Sequence, residues 1–229
     1  MSGQIAVGEG DGARYDRKPG DIVDPTLTVA PRDRPRFVSR GGEKLDAALE
    51  AFAIDVHGLV CLDVGASTGG FTDALLRRGA SRVYALDVGR GQLAEPLRHD
   101  ARVVSMERTH AARLSPSSAD HVALPEQPSF AVIDVSFISL TRVLDPVLHA
   151  LTGDARIVAL VKPQFEVEPA DAPRGVVRDP VIQRAAVDAV TEHARSLGLA
   201  VRGVIVSPLL GPAGNREVFV HLGHGAGAA

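Results

Sequence analysis

From residue 43 onward, short apolar runs alternate with amphipathic stretches. The amphipathic stretch that begins at Glu43 places Leu45, Leu49 and Phe52 on one helical face. Seven apolar runs downstream predict strands, and four amphipathic stretches predict helices between them. The predicted strands are 59–64, 82–87, 102–106, 130–135, 156–161, 200–206 and 217–222, and the predicted helices are 70–78, 92–98, 139–151 and 180–197.

The order of these elements predicts an α/β fold. Apolar strands that are separated by helices are typical of a parallel sheet covered on both faces. The last two predicted strands are joined only by the loop SPLLGPAGN at 207–215, which is short enough to favour an antiparallel hairpin. We therefore expect a seven-stranded, mostly parallel sheet with a C-terminal antiparallel hairpin.

The glycine-rich segment DVGASTGGF follows the first strand of this sheet, at 63–71. Ligands bind at the carboxyl ends of the strands in such sheets, and glycines let the backbone approach a ligand closely. The spacing is not G-x-G-x-x-G and no Walker lysine follows, which disfavours a dinucleotide or a phosphate. The predicted ligand contacts from this segment are Asp63, Gly65, Ala66, Ser67, Thr68, Gly69, Gly70 and Phe71.

A second acidic residue, Asp87, ends the next strand, about one βαβ unit after Asp63. A carboxylate at this position can accept hydrogen bonds from both ribose hydroxyls of a nucleoside. Each of the two strands ends in an acidic residue, and no phosphate-binding motif is present. This combination suits a cationic adenosyl ligand without phosphate, so we expect S-adenosylmethionine. We expect Val88 to contact it as well. The alternative is an ordinary strand–turn–helix glycine cluster with Asp87 as a helix cap.

The composition fits one soluble domain with a small appendage. Because 45% of the 229 residues are hydrophobic, the chain can bury a sizeable core. The single cysteine excludes a disulfide framework, and the scattered histidines lack metal-ligand spacing, so we expect no metal. No apolar run approaches the roughly 20 residues that cross a bilayer, and no secretory signal is recognisable. We expect a cytoplasmic protein with no membrane partner.

The charge balance argues against a protein that coats nucleic acid. The net charge is −3 and the pI is about 6.2, which still allows a local basic face. The segment PRDRPRFVSR at 31–40 is such a basic stretch. Aromatic residues make up 4% of the chain and tryptophan is absent, which disfavours wide base-stacking platforms.

Several sequence segments together resemble the TlyA/hemolysin-A group of RNA methyltransferases, relatives of the FtsJ/RrmJ ribose 2′-O-methyltransferases. The resemblance covers roughly residues 36–222 and implies a Rossmann-like, class I S-adenosylmethionine-dependent methyltransferase. In this family the typical targets are cytidines of small- and large-subunit ribosomal RNA. The segments are SRGGEKL (39–45), DVGASTGGFTDALL (63–76), DVSFIS (134–139), LVKPQFE (160–166) and GPAGNREVF (211–219).

The related ribose methyltransferases use a Lys–Asp–Lys–Glu tetrad, and the matching residues here are Lys44, Asp134, Lys162 and Glu217. Asp134 and Lys162 end neighbouring predicted strands, so both should face the cleft at the carboxyl edge of the sheet. A ribose 2′-hydroxyl is a poor nucleophile and must lose its proton as it attacks. We expect Lys162 to be the general base, aided by the nearby positive charge of Lys44. Asp134 would orient Lys162, while Lys44 and Glu217 would position groups and balance charge, with Glu217 holding either Lys44 or the substrate ribose.

RNA contacts are expected at the start of this region. Family members usually begin with an S4 RNA-binding domain, of which only KPGDIVDPTLTV at 18–29 resembles the tail. We expect a disordered arm with an S4 remnant and a basic linker at 1–35, a methyltransferase domain at 36–223 and a flexible tail at 224–229. The expected RNA contacts are Arg36, Ser39, Arg40 and Gly41.

Two other functions remain open. A small-molecule O-methyltransferase derived from this family is favoured by the few S4-like residues and by the acidic loop EPADAPR at 168–174, where relatives often have glycine and basic residues. A non-catalytic hemolysin-like binding protein is the other alternative, although no strongly basic amphipathic stretch supports membrane lysis. Phe137 and Phe165 flank the expected site and fit either base stacking or core packing. The sequence does not determine the oligomeric state.

Overall fold

The computed structural model describes residues 5–7, 29–31 and 35–224, which fall into two compact units divided between Arg36 and Phe37. In the first unit, β1 (Ile5–Val7) pairs with β2 (Val29–Pro31) in an antiparallel sheet. β1 lies inside the segment for which the sequence predicts a disordered arm. The rest of that arm, Arg32 and Arg34 of the linker, and the tail beyond His224 lie outside the described residues.

The second unit contains a seven-stranded sheet. Its strands are β3 (Val60–Val64), β4 (Arg82–Leu86), β5 (Val103–Met106), β6 (Phe130–Ile133), β7 (Arg156–Val161), β8 (Leu199–Val206) and β9 (Val218–His224). Their order across the sheet is β5-β4-β3-β6-β7-β9-β8. The strands from β5 to β7 are parallel, whereas β9 is antiparallel to both neighbours. The predicted parallel sheet and C-terminal hairpin are confirmed, and β9 inserts between β7 and β8.

Helices cover both faces of this sheet, as buried apolar strands require. They are α1 (Arg40–Ala51), α2 (Gly70–Arg77), α3 (Glu95–Arg98), α4 (Leu144–Ala150) and α5 (Pro180–Ser196). One apolar cluster packs α1, α2 and α3 on the sheet, and a second packs α4 and α5 on the opposite face. No helix among the described residues is long and apolar enough to cross a membrane.

Three helices contain a proline in their first turn, and this proline restricts where each helix can begin. Proline has no N–H and fits only the first turn of a helix. Pro96 and Pro180 stand in the first turns of α3 and α5. Pro146 stands in the first turn of α4, and the predicted helix 139–151 is therefore split into a 3-10 turn at 140–142 and α4.

Candidate active site

The site lies where the order of the sheet strands reverses. The chain runs outward from β3 to β4 and β5 and then returns to β6 on the other side of β3. Loops that follow β3 and β6 diverge at such a point and leave a cleft at the carboxyl edge. Gly65 and Asp134 stand at the mouth of this cleft. A Cβ on Gly65 would overlap the carbonyl oxygen of Asp134, and the φ of +88° also favours glycine there.

Two lysine–carboxylate pairs stand at this edge. The Nζ of Lys162 lies 2.6 Å from Oδ1 of Asp134 and donates a hydrogen bond of 3.0 Å to the hydroxyl of Ser136. The Nζ of Lys44, on α1, donates a 2.6 Å hydrogen bond to Oε2 of Glu217, directly before β9. The structure therefore brings the four tetrad residues together as two pairs, and each lysine has a carboxylate as its partner.

Three cavities meet at these pairs. The first, the lysine cavity, has a volume of about 390 Å³ and contains both ion pairs in its wall. It shares Gly65, Ser67 and Asp134 with a second cavity of about 540 Å³, the Asp87 cavity. It shares Lys162 and Glu217 with a third cavity of about 360 Å³, the phenylalanine cavity. A molecule in one cavity can thus reach a molecule in the next across the same polar residues.

The Asp87 cavity combines the carboxylates of Asp87 and Asp134 with mainly apolar walls. Oδ2 of Asp87 accepts a hydrogen bond of 2.8 Å from the Ser67 amide, and Oδ1 accepts one of 2.6 Å from the Gly89 amide. Each carboxylate oxygen keeps a further lone pair for a ligand hydroxyl. The apolar lining consists mainly of Val64, Leu86, Val88, Ala111, Val135, Ile138 and Val143.

The phenylalanine cavity lies beside Lys162. The rings of Phe137 and Phe165 contact each other in its wall, with centroids 5.1 Å apart and planes tilted by 50°. Phe137 is 90% exposed, so it does not pack in the core. Its φ of +64° is in the left-handed region, which is uncommon for a bulky side chain. The exposed ring of Phe137, supported by the half-buried ring of Phe165, provides an apolar face next to the lysine.

A buried acid lies beneath the glycine-rich turn. Asp63 is fully buried, accepts a 2.6 Å hydrogen bond from the Thr72 hydroxyl, and has no partner for Oδ1 among the described residues. Burial, reinforced by the charges of Asp134 and Asp87, raises the pKa of Asp63 to about 7. The Thr72 hydroxyl opposes this rise but does not cancel it.

Most of the residues predicted for the site line these cavities. Those in the lysine cavity are Ser39, Arg40, Gly41, Lys44, Gly65, Ala66, Ser67, Thr68, Gly70, Phe71, Asp134, Lys162 and Glu217. Asp87 and Val88 line the Asp87 cavity. Asp63 and Gly69 line none of the three, because Asp63 lies below the turn and Gly69 faces Leu93 and Leu97. Arg36 is exposed at the end of the first compact unit.

Sequence reasoning missed three polar residues that support the site. Ser136 binds Lys162, and Glu166 accepts hydrogen bonds from the loop after β6. Asn215, which is buried, binds the backbone of Gly175 and Val177 and so fixes the loop that leads to Glu217. All three lie inside the family-like segments or next to tetrad residues. Their position in those segments could have identified them as site residues, whereas their residue types could not.

Comparisons with known proteins agree with this geometry. Residues 37–224 match the family model of the FtsJ-like methyltransferases. The chain is 50% identical over 208 residues to the 16S/23S rRNA (cytidine-2′-O)-methyltransferase TlyA of Mycobacterium tuberculosis, a match that covers 90% of this chain and 76% of that protein.

Two further matches carry the name hemolysin. Over 187 residues the chain is 41% identical to hemolysin A of Brachyspira hyodysenteriae, covering 81% of this chain and 76% of that protein. A solved structure of a candidate hemolysin of Streptococcus thermophilus has 41% identity and a TM-score of 0.81, covering 99% of this chain and 80% of that chain. The chain is thus similar both to proteins named for RNA methylation and to proteins named for hemolysis.

Proposed function

The chain belongs to the FtsJ-like methyltransferase family, and from this premise we propose that it transfers a methyl group from S-adenosylmethionine to a ribose 2′-hydroxyl of RNA, with a cytidine of ribosomal RNA as the acceptor. The observation that carries the proposal is the meeting of two lysine–carboxylate pairs at one cavity wall. We further propose residues 36–223 as the catalytic domain.

The Asp87 cavity fits the adenosyl part of the cofactor. Asp87 would accept hydrogen bonds from the ribose hydroxyls, and the apolar walls would cover the adenine. Gly65 and Ser67 line both this cavity and the lysine cavity, so they would hold the part of the ligand that passes between the two. S-adenosylmethionine supplies an activated methyl group on a sulfonium. Asp134, which stands on the same border, provides a negative charge for a cation there.

Lys162 is the general base of the proposed reaction. Its Nζ stands at the border between the lysine cavity and the phenylalanine cavity, where a ribose hydroxyl can reach it. An ion pair of 2.6 Å with Asp134 and a hydrogen bond of 3.0 Å to Ser136 hold this amine at the border. The amine accepts the hydroxyl proton only in its neutral form. Correct placement of the hydroxyl oxygen supplies much of the remaining rate enhancement.

Lys44 and Glu217 are positioning groups in this scheme. The Glu217 side chain is fully buried, and its Oε1 has no partner among the residues that the structure describes. Lys44 neutralises this buried carboxylate, which would otherwise be costly to keep charged. The pair therefore places a polar, nearly neutral wall opposite Lys162 without a second free base.

The phenylalanine cavity suits the base of the acceptor nucleotide. An RNA base that leaves its stack is commonly received by aromatic side chains. The exposed ring of Phe137 and its neighbour Phe165 provide such a surface beside Lys162. A stacked base would bring its own ribose toward the amine.

Exposed arginines surround the same edge of the molecule. In the described part of the chain, these arginines have no ion pair: Arg40, Arg90, Arg108, Arg142, Arg174, Arg178 and Arg216. They occupy the start of α1 and the loops at the carboxyl ends of the parallel strands, and we call them the arginine rim. In contrast, Arg78, Arg82 and Arg102, near the opposite edge, pair with carboxylates. Unpaired cations around a cleft suit the phosphates of RNA.

The decisive experiment is nucleoside analysis of RNA after incubation with the protein and labelled S-adenosylmethionine. Ribosomal subunits, free ribosomal RNA and a panel of small hydroxyl compounds would be compared. We expect label in 2′-O-methylcytidine from the RNA samples. Label only in small compounds would support the small-molecule O-methyltransferase instead, which the exposed acids Glu168 and Asp171 in the segment after β7 favour. No transfer to any acceptor, despite cofactor binding, would contradict both.

A further inference from the structure

Two loops build the acceptor side of the site, and they contact each other at three levels. The first loop, 134–140, follows β6, and the second, 162–166, follows β7. At the first level, Lys162 contacts Asp134 and Ser136. At the second level, the rings of Phe137 and Phe165 contact each other at a tilt of 50°. The third level involves Glu166, which the proposed chemistry does not use.

Glu166 binds the far end of the first loop with both carboxylate oxygens. Oε2 accepts a hydrogen bond of 2.6 Å from the Ser139 hydroxyl, and Oε1 accepts one of 2.9 Å from the Leu140 amide. The Ser139 hydroxyl also receives the Thr141 amide at 3.1 Å, so the start of the 3-10 turn is fixed as well. Burial raises the pKa of the Glu166 carboxyl, and the two hydrogen bonds oppose that effect. Among the described residues no cation stabilises the charged form of this carboxyl. The two hydrogen bonds from the loop are what stabilise the carboxylate, and the carboxylate in turn holds the loop in place.

The contact matters because Phe137 lies between two anchored points. Asp134 is held on one side by β6 and Lys162, and Ser139 and Leu140 are held on the other by Glu166. Between them Phe137 has a left-handed backbone and an almost fully exposed ring. Such a conformation persists only where the surrounding structure enforces it. Without the second anchor, the loop can relax and the ring can leave Phe165.

We propose that Glu166 is a positioning residue that locks the loop carrying Phe137 onto the loop carrying Lys162, so that the acceptor base and the general base are aligned before the substrate enters. The inference rests on the proposed function in one respect, since it takes the acceptor to be a nucleotide. The lock itself is a property of the free protein and can be measured without RNA.

The first test measures the lock directly by hydrogen exchange. The variants are Glu166→Ala, Glu166→Gln and the matched control Glu168→Ala, which removes an exposed carboxylate two residues away. We expect faster exchange in segment 136–141 of Glu166→Ala, with β3 unchanged. Glu166→Gln keeps one acceptor oxygen for two donors and should show an intermediate effect. Equal exchange in Glu166→Ala and wild type would overturn the inference.

The second test separates positioning from simple destabilisation. In Glu166→Ala we expect the KM for RNA to rise about tenfold and kcat to fall by a similar factor, because both bases are misplaced. The affinity for S-adenosylhomocysteine, measured by calorimetry, should fall far less than kcat/KM for RNA, since Asp87 and the two amides that bind it lie outside the loop that Glu166 holds. A small loss is expected, because Val135 and Ile138 of that loop line the Asp87 cavity. Glu166→Gln should recover part of the loss, and Glu168→Ala should resemble wild type.

The outcomes of the two tests separate this inference from the proposed function. Faster exchange with unchanged KM and kcat would overturn the positioning role. A parallel loss of cofactor affinity and melting temperature in Glu166→Gln would also overturn it, in favour of a general structural role. If wild type methylates no RNA while the exchange of segment 136–141 still rises in Glu166→Ala, the proposed function fails and the lock stands.

Discussion

At the scale of single residues, the two site lysines differ in what surrounds their partners. The carboxylate of Glu217, which binds Lys44, is fully buried, whereas the side chain of Asp134, which binds Lys162, is 23% exposed. Both lysines line the lysine cavity, but only the pair of Lys162 has a partner that is itself accessible. This difference supports our proposal that Lys162, rather than Lys44, is the general base.

Replacement of Lys162 by arginine tests this assignment while keeping the charge. The guanidinium of the variant can still pair with Asp134, but it does not lose its proton at accessible pH. We expect Lys162→Arg to lower the rate of single-turnover methyl transfer by about 10²–10⁴-fold, the usual contribution of a general base. Calorimetry should show nearly unchanged affinity for S-adenosylhomocysteine. A variant that keeps more than about a tenth of the wild-type rate would place the base elsewhere.

Asp63 should make the stability of the protein depend on pH. Its pKa is about 7 in the fold, against an ordinary value of 3.8, so the folded protein retains a proton that the unfolded chain releases. Stability contributed by this proton is fully present below about pH 4 and is lost as the pH rises to about 7. Each pKa unit corresponds to about 1.4 kcal/mol, so the total loss is a few kcal/mol.

Asp63→Asn removes the titration while keeping an acceptor for the Thr72 hydroxyl. Urea unfolding at pH 5, 6, 7 and 8 should show the variant gaining stability relative to wild type as the pH rises. Asp171→Asn, which changes an exposed acid that forms no ion pair with the described residues, is the control. Parallel stability curves for wild type and Asp63→Asn would contradict the buried, proton-retaining state of this carboxyl.

At the scale of elements, hydrophobic periodicity predicted the strands to within about two residues, because burial on both faces leaves a strong apolar signal. Helix ends were less predictable. α1 begins at Arg40, three residues before the predicted start at Glu43, because its first turn packs Gly42 against Phe37 rather than an apolar side chain on the core. The segment predicted as helix 92–98 forms α3 only from Glu95, where Pro96 fits the first turn.

Side-chain partners across loops were beyond the sequence pattern. Strand ends predict which residues reach the carboxyl edge, as they did for Asp134 and Lys162. They do not predict that Lys44 selects Glu217, or that Glu166 binds Ser139, because those contacts depend on the packing of several loops. The predicted proximity of the Lys44 charge to Lys162 stays a prediction. The predicted charge-balancing role of Glu217 is supported by its direct contact with Lys44.

The close approach of the β3–α2 turn to the end of β6 yields a test at this scale. Gly65→Ala adds a Cβ that overlaps the Asp134 carbonyl oxygen, and it also strains a left-handed backbone. Gly91→Ala is a matched control, because its φ of +65° carries a similar strain but its Cβ would meet no atom within 4 Å. We expect Gly91→Ala to cost roughly 1 kcal/mol in stability and little activity.

Gly65→Ala should displace Asp134 and hence Lys162. The methyl-transfer rate and the cofactor affinity should each fall at least about tenfold beyond the effect of Gly91→Ala, as is usual for misplaced reacting groups. Methyl-transfer assays and calorimetry on both variants would decide. Similar losses in the two variants would mean that backbone strain alone matters and that the turn does not support Asp134.

At the scale of the whole molecule, the net charge does not reveal that unpaired arginines are concentrated around the cleft at one edge of the sheet. The chain carries a net charge of −3, yet the arginine rim surrounds the cleft, while Arg78, Arg82 and Arg102 near the other edge are paired with acids. The composition alone therefore argued against a nucleic-acid-coating protein without excluding a local basic face. Only the placement of loops at the carboxyl edge shows where that face lies.

The arginine rim predicts a specific salt dependence of RNA binding. Each neutralised phosphate releases bound cations, so the slope of log affinity against log salt becomes shallower by about 0.7–0.9 for every phosphate that no longer meets an arginine. Arg174→Ala/Arg216→Ala removes two rim charges beside the phenylalanine cavity. Arg98→Ala/Arg195→Ala removes two other exposed charges at the ends of α3 and α5, near the opposite edge, and keeps the net charge matched. Binding titrations with a ribosomal RNA fragment at several salt concentrations should therefore give a slope about 1.4–1.8 units shallower for the rim variant, and an unchanged slope for the control.

Equal slopes in the two variants would move the RNA surface away from the rim. Shallower slopes in both would mean that the overall charge of the molecule, and not its distribution, governs the attraction.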